Sequence, residues 1–305
     1  MKKKRRLLSV IFLTTIMLYS CKDDFDDNLS LDLINDNVFV DENGNEFGTG
    51  ILNCTYGSYT IYPDNVVNVT IPDLLPDSYD LSIFLPPIGN QGRQGSCVSW
   101  ATTYYLKSFQ ERIQSGLPYN NTRTMSPAFT YNQLTQGNCT GTTFENTLDI
   151  LKNQGTVSLA EFPYDENSCT VQPTPQHVDL AEVNKIASYK YLSGSNMVLE
   201  MKALLLEQTP ILISAFLTPN FGKTDNFGLT AYREHTVNLN QSGTCHAMLV
   251  VGYSNEFHAF KVVNSWGLNW GDNGYVWIDY EAFANVLNQN YSFKVINSAI
   301  VVYDL

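Results

Sequence analysis

An α+β chain, with helices first and strands later, is predicted by three features of the 305-residue sequence. The stretch "CVSWATTYYLKSFQERIQSG" sets Val98, Ala101, Tyr105 and Phe109 at helical spacing, flanked by Trp100, Tyr104 and Leu106, with Gly116 as the stop. A second helical pattern follows in "TFENTLDILKNQG", where Phe144, Leu148 and Leu151 share a face and Gly155 terminates it. Beyond roughly residue 180 the composition changes to short β-branched and aromatic runs bounded by turns: "KIASYKYLSG", "PILISAFL", "CHAMLVVGYS", "AFKVVNSWG" and "GYVWIDY". Only "NMVLEMKALLLEQ" interrupts them as a helix. Such an order implies two layers or lobes, and 44% hydrophobic residues suffice for their core.

The N-terminus is organised differently. "MKKKRRLLSVIFLTTIMLYSC" has five basic residues, a short apolar run from Leu7 to Tyr19, then Ser20-Cys21. An apolar run of that length reads as a secretory signal rather than a membrane span, and "LYSC" resembles a bacterial lipobox that makes Cys21 the lipidated terminus. The acidic "KDD" after Cys21 resembles the surface-export signal of Bacteroidetes lipoproteins. Loss of residues 1–20 takes the formal charge from −12 to −17, which argues against a nucleic-acid partner. Residues 21–74 read as an acidic tether and short β-like segment, a candidate pro-segment, in which "VFVDENGNEFGTGI" carries a hairpin turn. "PDLLPDSYDLSIFLPPIGNQG" is proline-rich and extended, and residues 75–305 form the main domain.

Chemistry concentrates at Cys97. A thiol attacks a carbonyl well only as a thiolate, and a helix N-terminus or a neighbouring imidazolium favours that anion. Cys97 sits where the helix begins, behind Gly95-Ser96. His246 opens a hydrophobic strand 149 residues later, and Asn264 ends another β-like run 18 residues beyond it. Taken singly, each has a plain structural reading: a buried small hydrophobe, a core histidine, a turn asparagine. As an ordered set they supply a nucleophile, a base and an orienting group.

The set resembles the papain family of cysteine peptidases. "NQGRQGSCVSWA", "HAMLVVGY" and "NSWGLNWGDNGYVWI" are similar to the family's Cys, His and Asn segments, and "MSPAFTYNQL" and "EFPYDENSC" to stretches between them. The resemblance runs from about Leu75 to the C-terminus and implies a papain-like two-lobed fold. A helical lobe would carry the Cys helix, and an antiparallel β-barrel-like lobe His and Asn. By resemblance Cys97 is the nucleophile, His246 the base and Asn264 the residue that fixes its tautomer. Gln91 supplies the side-chain donor of the oxyanion hole, and Trp266 shields the Asn–His hydrogen bond.

The family usually has Cys-Gly-Ser-Cys-Trp where this chain has Gln94-Gly95-Ser96-Cys97-Val98, so one half-cystine is missing and Trp100 follows two positions later. Its cleft Gly-Gly reads "CTGT", with only Gly141 kept. Gly141, Ser214 and Ala215, with Trp266, are the expected substrate-binding residues. The family-like flanks of Cys139 and Cys169 favour a disulfide between them. Cys54 and Cys245 either bridge, which would lay the N-terminal segment across the cleft, or remain buried thiols. No metal or cofactor is expected, and the partners are protein or peptide substrates and, through Cys21, a lipid membrane. The papain resemblance thus implies an endopeptidase, and the signal-like N-terminus, the lipobox and the acidic run after Cys21 imply that it is exported and anchored in the bacterial envelope, in the outer membrane and at its surface. The alternative is a catalytically silent papain-fold surface module that binds peptides.

Overall fold

The computed structural model describes residues 38–52, 65–193, 196–238, 241–284 and 292–305. The signal-like segment, the lipobox Cys21, most of the acidic tether and Cys54 lie outside them.

The chain is described first as a hairpin, β1 (Val38–Val40) against β2 (Glu46–Gly48), antiparallel with Val38 opposite Gly48. Its turn is organised by Asp41, whose Oδ1 accepts the N–H groups of Asn43 and Asn45 at 2.9 and 2.8 Å. The proline-rich stretch includes one short strand, β3 (Ser78–Asp80), and one turn of 3-10 helix, Ser82–Phe84.

The predicted helix at Cys97 runs without a break from α1 (Cys97–Ser99) through a π-helical stretch, Trp100–Lys107, into α2 (Ser108–Ser115). Gly116 ends it at φ +66°, a left-handed conformation that glycine adopts without steric cost. The π-helical middle was not legible in the sequence. There Thr102 Oγ1 donates to the Val98 carbonyl at 2.8 Å, occupying an acceptor that an α-helical N–H would use. The whole stretch from Trp100 to Lys107 is buried, so the helix crosses the core rather than lying on it. Buried Lys107 pairs with Glu111 and Asp304 at 2.8 and 2.5 Å, which ties the chain's last strand to this helix.

Ser126 caps α3 (Pro127–Thr135), which has proline at its first position, and Thr143 caps α4 (Phe144–Asn153). The short α5 (Pro175–Ala181), capped by Thr174, is a helix the apolar pattern did not announce. Then come β4 (Ile186–Tyr191), α6 (Met197–Leu206), β5 (Ile211–Leu217), β6 (Lys223–Thr224), β7 (Thr230–Tyr232), β8 (Thr236–Asn238), β9 (Thr244–Ser254), β10 (Ala259–Val263), β11 (Tyr275–Asp279), β12 (Ser292–Lys294) and β13 (Ile296–Asp304).

The main sheet has the order β4-β13-β5-β9-β10-β11-β7-β6, with β3 added against β9. Its pairs are antiparallel except β11 with β7. The lobe expected to be barrel-like is therefore an open sheet among the described strands, because β4 and β6 at its ends do not pair with each other. Every residue of β5 and β9 is buried, and β9 packs against the Cys97 helix and α6. One hydrophobic cluster spans helices and sheet, from Phe39 to Val302, and a small second one lies around Phe129 and Phe162.

Cys139 and Cys169 are disulfide-bonded, as expected, with Cα atoms 5.6 Å apart. Cys245 is disulfide-bonded as well, to a partner outside the described residues, so it is not a buried free thiol.

Candidate active site

Two loops meet beside Cys97. The loop Gly89–Ser96 is stitched to the loop after β10: the Gln91 N–H donates to the Ser265 carbonyl at 2.9 Å, and the Gly267 N–H to the Gly89 carbonyl at 2.9 Å. Gln91 is fully buried, its Oε1 accepting from Ser265 Oγ at 2.5 Å and its Nε2 donating to the Gln94 carbonyl at 2.8 Å. Below it Tyr164 donates to the Gln91 carbonyl at 2.9 Å and accepts from Ser96 Oγ at 2.8 Å. Gln94, in place of the family's half-cystine, holds its position by donating to the Asp165 carbonyl at 3.2 Å. Val98 is wholly buried, and Trp100 packs against Tyr104 and Tyr164 at 4.6 and 4.9 Å between ring centroids. The tryptophan missing after the cysteine is thus replaced by an aromatic cluster that begins two positions further into the helix, at Trp100.

His246 lies on β9, opposite Ala215 of β5, and Asn264 lies just past the end of β10, the strand paired with β9. His246 Nε2 and Asn264 Oδ1 are 2.7 Å apart. The backbone N–H of Ser265 also donates to that Asn264 atom at 2.7 Å, so the atom is the oxygen and His246 Nε2 carries the proton. Nδ1 is left as the ring's basic nitrogen, buried and without a hydrogen-bond partner. Trp266 covers the imidazole at 4.6 Å, and Tyr105 donates to the Asn264 carbonyl at 2.9 Å. Beside Cys97, the N–H of Ala247, the residue after His246, approaches the thiol, which puts nucleophile and base strand side by side.

The cleft over these groups is filled by the chain's own segment Gly48–Leu52, the continuation of β2. Gly48 donates to the Gly92 carbonyl at 3.0 Å and Gly50 to the Cys245 carbonyl at 3.3 Å. Thr49 Oγ1 pairs with Thr244 Oγ1 at 2.8 Å. Thr142 donates to the Gly50 carbonyl and accepts from the Leu52 N–H, both at 2.8 Å. Both glycines are needed for so close an approach: a Cβ on Gly48 would stand 2.6 Å from the Gln94 oxygen, and one on Gly50 2.5 Å from the Gly95 oxygen. The hairpin closes the end of this strap, with Phe39 and Phe47 stacked on Trp266 at 5.4 and 4.8 Å.

The strap changes the electrostatics expected from sequence. Cys97 and His246 are completely buried. Burial pushes the Cys97 thiol up to about 12, against the stabilising N–H groups of Ala247, Val98, Ile51 and Cys97 itself. Burial pulls His246 down to about 4, against the hydrogen bond it donates to Asn264. Near pH 7 both groups are therefore neutral in this closed form. The anticipated thiolate–imidazolium pair is not formed here, because neither ion has water around it.

Of the expected substrate-binding residues, Gly141 lies against the strap, where a Cβ would stand 2.4 Å from the Gly50 oxygen. Ser214 and Ala215 are fully buried in β5, and Ser214 Oγ pairs with Ser298 Oγ at 2.8 Å. Sequence reasoning missed Ser265. It named residues 21–74 as a candidate pro-segment but not which of them fill the cleft; the pair of glycines in "GTG" marks a close backbone approach without naming its partner.

A model described as papain family cysteine protease matches residues 75–294. Gamete and mating-type specific protein A of Dictyostelium discoideum is 28% identical over 199 residues, which are 65% of this chain and 41% of that protein. A cathepsin L-like proteinase of Fasciola hepatica is 28% identical over 219 residues, which are 66% of this chain and 60% of that protein. Among solved structures, xylellain, a cysteine protease from Xylella fastidiosa, aligns with a TM-score of 0.67 at 22% identity, over 85% of this chain and 97% of that one. The bromelain protease of Ananas comosus in complex with the E64 inhibitor aligns with a TM-score of 0.56 at 18% identity, over 76% of this chain and all, 100%, of that one. With the Cys97, His246 and Asn264 segments gathered at one cleft and the family match spanning most of the sequence, the chain belongs to the papain family of cysteine proteases.

Proposed function

We propose that this chain is a cysteine endopeptidase, exported and lipid-anchored through Cys21 at the outer membrane and cell surface, with peptide bonds of proteins or peptides as substrates. The reading rests on one observation above the others: Asn264 holds His246 at 2.7 Å in the tautomer that leaves Nδ1 basic, on the strand lying beside the Cys97 thiol. The closed form is latent. With the strap displaced, water and substrate reach both groups, proton transfer from Cys97 to His246 Nδ1 gives the ion pair, and the helix N-terminus favours the thiolate.

The thiolate adds to the peptide carbonyl carbon. The oxyanion is met by the Cys97 N–H and by Gln91 Nε2, which exchanges its Gln94 acceptor for the substrate oxygen. His246 then gives its proton to the leaving amine as the C–N bond breaks, leaving a thioester. Water attacks the thioester, its proton passes to Nδ1, and the thiolate departs as the carboxylic product leaves. Ser265 keeps the Gln91 amide aimed, and the Thr142 N–H and carbonyl, now bonded to the strap, offer an extended peptide the same two backbone hydrogen bonds.

Incubation of strap-displaced protein with a thiol-directed epoxide probe and then with a peptide library tests the reading. Labelling and peptide hydrolysis by the wild-type residue, both lost in Cys97→Ala, are expected. Hydrolysis that survives in Cys97→Ala, or peptide binding with no turnover by the labelled protein's unlabelled counterpart, refutes it.

A further inference from the structure

Thr142 stands where the papain family has the second glycine of its cleft, and it brings a hydroxyl that the closed form leaves unused. The residue is 4% exposed, and its Oγ1 is buried without a hydrogen-bond partner among the described residues. Ser214, the other hydroxyl among the expected substrate-binding residues, is satisfied by Ser298 at 2.8 Å. A buried hydroxyl without a partner has lost its bonds to water uncompensated, so a ligand that supplies a bond there is favoured.

The backbone at Thr142 is an edge for an extended chain. Its N–H donates to the Gly50 carbonyl and its carbonyl accepts from the Leu52 N–H, both at 2.8 Å, so Ile51 of the strap is its bridge partner. Side chains of bridge partners project to the same side of the two strands. Ile51 is 2% exposed, so its branched side chain lies buried on the side to which Thr142 also projects, and it has no donor or acceptor for Oγ1. A substrate residue that bonds the Thr142 N–H and carbonyl with its own carbonyl and N–H faces Thr142 in the same way, because a doubly bonded antiparallel pair also projects to one side. The edge is held from both flanks. Tyr131 donates to the Thr140 carbonyl at 2.9 Å, and Thr143 caps α4 by accepting from the Asn146 N–H at 3.2 Å.

We infer that Thr142 is a specificity-determining residue: at the substrate position bonded to its backbone, the peptidase selects threonine over aliphatic residues of the same shape. This inference deepens the peptidase reading above and rests on it. Ile51 shows that a β-branched side chain fits against Thr142, and threonine keeps the branch while offering Oγ1 a donor and an acceptor. A valine in its place fills the same volume and leaves the hydroxyl unpaired, which is the arrangement that discriminates most between isosteres. A carboxylate side chain is disfavoured, because the Ile51 N–H approaches the Cys97 thiol and a second anion there would lie unhydrated beside the attacking thiolate.

The test uses the full chain carrying Gly50→Val, which the strap's seat against the Gly95 backbone cannot hold and which therefore opens the cleft; Gly48→Ala serves where that variant does not fold. The substrates are fluorogenic peptides in which each of the three residues before the scissile bond is in turn threonine or valine. The ratio of kcat/KM for the threonine peptide to that for the valine peptide is expected to reach about 10 at one of these positions. Adding Thr142→Val should bring that ratio to about 1 or below, while Thr142→Ser, which keeps the hydroxyl, should retain the preference. Where Thr142→Val fails to fold, Thr142→Gly, the family's residue, also removes the hydroxyl and gives the same comparison. Equal cleavage of the threonine and valine peptides at every position, or a preference unchanged by loss of the Thr142 hydroxyl, overturns the selection and leaves the peptidase reading standing. Absence of hydrolysis of every peptide overturns both.

Discussion

The indole N–H of Trp266 donates to the Gly48 carbonyl at 2.7 Å, while the same ring lies 4.6 Å from the His246 imidazole. One side chain thus shields the base from water and anchors the segment that keeps the site shut. Trp266→Phe retains an aromatic cover but loses the donor. A hydrogen bond of this kind contributes about 1 kcal/mol, so Cys97 labelling of the closed chain should rise about 5-fold. Unchanged labelling in Trp266→Phe would mean that the strap does not depend on this contact.

Gly48 and Gly44 separate packing from turn strain. Gly48→Ala places a Cβ against the backbone of Gln94 and Gly92, and should destabilise the closed form by about 1–3 kcal/mol while exposing Cys97. Gly44, at φ +80° with nothing within 4 Å of a Cβ, lies in the hairpin turn. Gly44→Ala should therefore lower the melting temperature slightly and leave Cys97 labelling slow. Thermal melts and probe kinetics on the two variants distinguish the effects.

Asn264→Ala removes the oxygen that fixes the His246 ring. Once the strap is displaced, kcat should fall roughly 10–100-fold with KM nearly unchanged, as when a histidine loses its orienting partner. An equal loss carried by KM would place Asn264 in substrate binding instead.

The closed form has its own pH window. His246 titrates near 4 when buried and near 6.5 when exposed, so between those values the unfolded chain binds the extra proton. The stability it contributes is present above pH 6.5 and is lost as pH falls toward 4. Cys97 acts at the other end: its thiol stays protonated to about 12 in the closed form against 9.0 when exposed, so its contribution is present below pH 9.0 and lost as pH rises toward 12. Melting temperatures measured from pH 4 to 10 should show an acid-side decline that is shallower in His246→Gln. Identical slopes would remove His246 from the account.

Loss of the Cys139–Cys169 bond acts on the unfolded chain. The bond spans 30 residues, and opening it in a double serine variant should cost about 3–4 kcal/mol by loop entropy. Denaturant unfolding of the two forms measures this directly.

Much of the fold was legible because local patterns report local burial. The Cys97 helix with its Gly116 stop, the helix that puts Phe144, Leu148 and Leu151 on one face, and the all-buried runs of β5 and β9 each follow from apolar spacing and turn chemistry. The short α5 and the last strand β13 escaped that reading. α5 buries only Ala181, which leaves no apolar stripe to detect, and β13 takes its partners β4 and β5 from far along the chain.

The residue types and order of Cys97, His246 and Asn264, and the Cys139–Cys169 pairing implied by the family resemblance, were available from the linear chain because motif segments carry their chemistry with them. The state of the site was not. Whether the thiol and imidazole are charged depends on what lies over them, and what lies over them is Gly48–Leu52, some 200 residues from His246 in sequence. Packing of that segment removes water from both groups, and desolvation outweighs the helix N-terminus that favours the thiolate. Burial of this kind belongs to the assembled fold, since no run of neighbouring residues encodes which distant backbone will fill a cleft.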